Sequence, residues 1–174
     1  METKPELRQP SLTPVPADWT RQKDQEWYSQ HFESDGADPY SEALKRLWHE
    51  RVRLEEALTE WIGIFLAEEE FDPDPVTECL GASAKADLLL GILQAQSKET
   101  GPGTRFHRDI DRVKAAFESC DQVASRYLLQ REKVWLLELG MVAEELARGA
   151  WQLKDSVRGE HQYSRRSAGE RSQP

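Results

Sequence analysis

TRFHRDIDRVKAAFESCDQVASRYLLQREKVWLLELGMVAEELARGAWQLKDSV, residues 104–157, is the stretch whose reading decides the fold. Apolar side chains recur every three or four positions at Phe106, Ile110, Val113, Phe117, Cys120, Ala124 and Tyr127, the spacing of one helix face. A second seam runs through Trp135, Leu139, Val142, Leu146, Gly149, Leu153 and Val157. No proline or glycine lies between Thr104 and Glu138, so the pattern predicts one continuous helix over 104–157. The second seam is displaced by one residue near Leu128 to Trp135, as a stutter displaces the seam of a coiled coil. At 1.5 Å rise per residue such a rod would be on the order of 80 Å long.

Working back along the chain, Glu99-Thr100-Gly101-Pro102-Gly103 is the clearest turn, and Thr104 is placed to cap the rod. The turn forces the preceding helix to run back along the first half of the rod. That helix is expected over 75–97, with Asp74 as its cap and a weak point at Gly81 to Ser83. In a sharper reading Gly81 and Gly91 admit a close neighbour. Another helix is expected over 39–70, opened by Asp38-Pro39 and closed by the prolines at 73 and 75. Its seam is Leu44, Leu47, Leu54, Leu58, Trp61 and Phe65. It either folds alongside the other two or continues in line with the second and covers the far half of the rod. The slipped seam is what two different neighbours would require.

The predicted fold is therefore all-α: an antiparallel bundle of three main helices, about 39–70, 75–97 and 104–157, with a very long coiled-coil-like third helix. Residues 17–32 can add a short helix capped by Asp18 and carrying Trp19, Trp27 and Phe32. Residues 1–16, with prolines at 5, 10, 14 and 16, read as a disordered tail, and 17–38 as a partly ordered segment. The folded domain spans 39–157, and 158–174 is a disordered basic tail with Arg158, Arg165, Arg166 and Arg171.

Charge narrows the function. Residues 39–157 carry fifteen basic and twenty-two acidic side chains, within a chain of net charge −9. Phosphate backbones are bound mainly by Lys and Arg, so no direct nucleic-acid binding is expected. No apolar run is long enough to span a bilayer, and the start resembles neither a secretory signal nor a transit peptide. Two cysteines, Cys79 and Cys120, match no zinc spacing and fall on inward or partly inward faces, which suits a reducing cytoplasmic or nuclear compartment.

Chemistry-bearing motifs fail on their central requirements. In the acidic stretch 68–78, Asp72 and Asp74 fit the first calcium-loop positions, but Val76, Thr77 and Ser83 break the pattern. Glu69 to Asp72 and Glu118 to Asp121 each read ExxD, yet no ExxE accompanies them, and no ExxH pair exists for a di-iron bundle. His107 and Asp111 are two ligands one turn apart, with no third in view. No phosphate-binding glycine loop occurs. No cofactor and no catalytic residues are assigned.

Six tryptophans are more than a small core requires. Trp48, Trp61, Trp135 and Trp151 lie at or beside helix seams, as core fillers or as interface anchors. The sequence is read as a non-enzymatic helical adaptor or subunit of an assembly, pairing through Trp135, Leu139, Val142, Leu146, Trp151 and Leu153 with another helical protein or a second copy as a homodimer. One alternative is a small metal-dependent hydrolase or ligand-binding bundle using Glu56, Glu60 and Glu118. Another is a regulator of a nucleic-acid machine through protein contacts.

Overall fold

The computed structural model describes residues 15–32, 38–68, 77–96, 105–128 and 134–170, with side chains up to Arg158 other than those of Glu68 and Gln96. The described residues form five α-helices and no strand: α1 (Arg21–His31), α2 (Pro39–Glu68), α3 (Ala82–Gln96), α4 (Arg105–Leu128) and α5 (Leu136–Glu170). None of them is long and apolar enough to cross a membrane. Residues 1–14 of the expected tail 1–16, residues 69–76 of the acidic stretch 68–78 with the Asp74 cap, and the turn at 99–104 lie outside the described residues.

Local signals set several ends. Asp38 Oδ2 accepts from Ser41 N–H at 3.2 Å and Pro39 takes the first helical position, so α2 begins where its cap and proline place it. Thr20, rather than Asp18, caps α1 by accepting from Lys23 N–H, while Asp18 forms an ion pair with the Lys23 ammonium. At the expected weak point, α3 starts at Ala82, directly after Gly81. Among the described residues, nothing lies within 4 Å of a Cβ added at Gly81 or Gly91.

The continuous rod over 104–157 is corrected: it is two helices, α4 and α5, packed against each other. The break falls where the seam slips. A straight rod holds its two apolar stripes out of phase, whereas a hairpin turns both toward one core. Val123 and Val134 are buried there, and Tyr127 and Leu128 at the end of α4 are exposed. The helix also runs to Glu170, past the boundary expected near Val157.

Four helices close a ring in which α2 touches α3, α3 touches α4, α4 touches α5 and α5 returns to α2. Ion pairs give their directions. Arg105 meets Asp155 at 2.8 Å and Arg126 meets Glu138 at 2.7 Å, so α4 and α5 are antiparallel. Lys114 meets Asp87 at 2.6 Å across the short link from α3 to α4, so that pair is antiparallel too. Arg51 reaches Asp121 at 2.7 Å and Lys85 reaches Glu55 at 3.0 Å. Together these place α2, α3 and α5 in one direction and α4 against them.

The core is built from Leu47, Leu54, Leu58, Ile62 and Phe65 of α2, Leu89 and Leu93 of α3, Phe106, Ile110, Val113 and Phe117 of α4, and Leu139, Leu146 and Leu153 of α5. Gly149 sits in the middle of the ring, where an added Cβ would lie 3.5 Å from both Leu54 and Val113. Cys120 is buried as expected, but Cys79 is exposed in the turn before α3; both are free thiols.

Candidate functional site: the groove between α2 and α5

Parallel packing of α2 on α5 leaves one groove along their outer side, and its two halves differ. In the first half lies α1. Asp24, wholly buried, is at its centre and accepts four hydrogen bonds. Its Oδ2 accepts from Leu136 N–H at 2.8 Å and Tyr40 O–H at 3.4 Å; its Oδ1 accepts from Leu137 N–H and Trp19 Nε1–H, both at 3.0 Å. The first N–H groups of a helix have no partner inside it and carry the positive end of its dipole, so a carboxylate there is doubly favoured. Glu138 completes the end by accepting from Trp135 N–H at 3.0 Å.

The rest of α1 fits a notch in α5. A Cβ built on Gly140 would stand 2.7 Å from a Phe32 ring carbon and 2.9 Å from one of Trp27, so only glycine leaves room for these rings. Tyr28 and Phe32 are buried, and the Arg46 guanidinium of α2 lies 4.1 Å from the Phe32 ring centroid. Burial pushes the Tyr28 and Tyr40 phenols above their usual value, and for Tyr40 the neighbouring Asp24 charge adds to the rise.

Further along, the groove is open. Arg53, Glu56, Ala57, Glu60 and Trp61 of α2 face Ala147, Ala150, Trp151 and Lys154 of α5 around a cavity of about 330 Å³. Trp151 is 67% exposed. Glu50 of α2 is buried nearby in sequence with one carboxylate oxygen lacking a hydrogen bond, and its ion pair with Arg53 is long at 3.7 Å.

The six expected interface residues are thus divided. Leu139, Val142, Leu146 and Leu153 are buried in the chain's own core, Trp135 is half-buried at the start of α5, and Trp151 alone stands out in the open. None of the four tryptophans expected at or beside the seams is fully buried: Trp48 and Trp151 are exposed, Trp61 and Trp135 intermediate. Leu, Ile, Val and Phe fill the core and leave the indoles at its rim.

Other chemistry is sparse among the described residues. His107 Nδ1 and Asp111 Oδ2 come within 3.2 Å, but no group of three or more His, Cys, Asp or Glu is arranged to hold a metal. Glu56 and Glu60 also border a shallow depression with Glu55 and Lys85, while Glu118 is exposed on α4 and lines neither hollow. A third hollow of about 510 Å³ between α4 and α5 is lined by Arg112, Ser119, Glu145, Arg148 and Gln152. No local pattern in the sequence marks Asp24 as a helix-capping group, because the two N–H groups that it caps lie 112 and 113 residues away.

No protein-family model, no curated protein and no solved structure matches this chain.

Proposed function

We propose that this protein is a non-enzymatic helical adaptor that engages an amphipathic helix of another protein along the open half of the α2–α5 groove. The observation that carries this reading is Trp151, a large aromatic exposed beside Trp61 and the small Ala147 and Ala150. Two helices with small residues between them form a trough that a third helix can enter, and tryptophan is the residue most enriched where such contacts are strong. The rim carries Arg53 and Lys154 as well as Glu56 and Glu60, so a partner helix would flank its apolar stripe with both signs of charge.

The test is affinity capture with the intact chain and with Trp151→Ala, followed by binding measurements with the purified partner. A helical partner whose affinity falls tenfold or more with Trp151→Ala supports the reading. It is overturned if no partner depends on Trp151, or if the chain instead forms a concentration-dependent dimer that Trp151→Ala dissolves.

A further inference from the structure

Along one groove, the half at the start of α5 already holds a helix, and that helix reports what the groove accepts. The anchoring of α1 comes from four residues within a nine-residue span: the Asp24 carboxylate on the α5 N-terminus, then Trp27, Tyr28 and Phe32 at the Gly140 notch. Its packing is chiefly on α5, whereas α2, α3, α4 and α5 close their ring without it. An eleven-residue helix has little stability by itself, so α1 is ordered by the seat it occupies.

We propose that this seat is a recognition site for helices of α1's chemistry and that α1 is its exchangeable occupant. The partner it fits is a helix carrying a carboxylate followed by aromatic side chains three, four and eight positions on, bound in α1's place. The carboxylate gives polarity, since only a helix running parallel to α5 brings it to the Leu136 and Leu137 N–H groups while its rings reach Gly140. The proposal deepens the adaptor reading by adding a second, chemically defined contact in the same groove. Because α1 is tethered, it competes at an effective concentration set by the short link at 33–37, so a free helix enters only when α1 is weakened.

The probe is a fluorescein-labelled peptide of residues 15–38, followed by anisotropy on the full-length chain. The peptide is expected to bind the Asp24→Asn chain at least tenfold more tightly than wild type, because the in-chain competitor is impaired. A peptide carrying Asp24→Asn should lose at least tenfold on that same chain. The Phe32→Ala chain serves the same purpose if Asp24→Asn does not fold. The proposal is overturned if the peptide binds no natively helical chain of this set, or if the Asp24→Asn peptide binds as tightly as the original. Trp151→Ala should leave peptide affinity unchanged when combined with Asp24→Asn, which separates this site from the open half.

Discussion

The Asp24 carboxylate caps a helix that begins 112 residues later: its Oδ2 lies 2.8 Å from the Leu136 N–H. Replacing it by alanine orphans four donors, two of them backbone N–H groups at the start of α5. Losing a helix cap and stranding buried donors should cost about 2–3 kcal/mol. For a chain of this size that lowers the melting temperature by roughly 5–10 °C. Asp24→Asn keeps one acceptor and should cost less. Thermal unfolding followed by circular dichroism checks both, and a melting point unchanged in Asp24→Ala would show that the cap contributes nothing.

Two glycines of α5 should respond in opposite directions. At Gly149 an added methyl meets Leu54 and Val113 at ordinary contact distance, so Gly149→Ala gains up to about 1 kcal/mol of helix propensity. At Gly140 the methyl collides with Phe32 and Trp27, so Gly140→Ala loses about 1–2 kcal/mol through displaced rings. Denaturant titration with tryptophan fluorescence reads the difference. Equal effects of the two substitutions would contradict the close seating of α1.

Alkaline pH should loosen the junction of α1 with α2. The Tyr40 phenol is raised above its usual value of 10.0, first by burial and then by the charge of Asp24. A group whose pKa is higher in the folded chain gives stability that is complete below the unfolded value and disappears as pH climbs through the folded one. Unfolding free energy should therefore fall above about pH 10, and Tyr40→Phe should flatten that decline. The same slope in Tyr40→Phe and wild type would show that the decline does not come from Tyr40.

The cysteines should differ in reactivity. Cys79 is exposed, whereas burial raises the Cys120 thiol, an effect that nearby Arg51 opposes only in part. Iodoacetamide at mild alkaline pH should add one group to the native chain and a second only in denaturant, as mass spectrometry would show. Two adducts on the folded chain would mean that Cys120 is reachable.

Legibility in the sequence followed the distance over which each structural cause acts. Asp38 accepts from an N–H three residues away, and the seam from Phe106 to Cys120 meets its core directly, so both could be read. The end of α4 could not. Trp135 stands where a capping Ser, Thr, Asp or Asn would announce a new helix, and the acceptor that serves instead is residue 24. The phase slip was the visible trace of that break, but a stutter in a rod produces the same trace. For the candidate site, the sequence groups Leu139, Leu146 and Trp151 in one expected interface, and only packing shows that the first two are spent on the chain's own core. Trp151 falls on the flank of the seam, where burial depends on whether another helix lies outside it.

The parallel pairing of α2 with α5 also governs the order of assembly. α3 and α4 are neighbours in sequence and can zip together early, but the ring closes only when segments roughly a hundred residues apart meet, and Asp24 must then find Leu136. Loop closure of that length comes before its rewards, so refolding should be slow for an all-helical chain. In stopped-flow experiments, substitutions in the α3–α4 hairpin should slow refolding, while Asp24→Ala, acting on the last contact to form, should mainly accelerate unfolding.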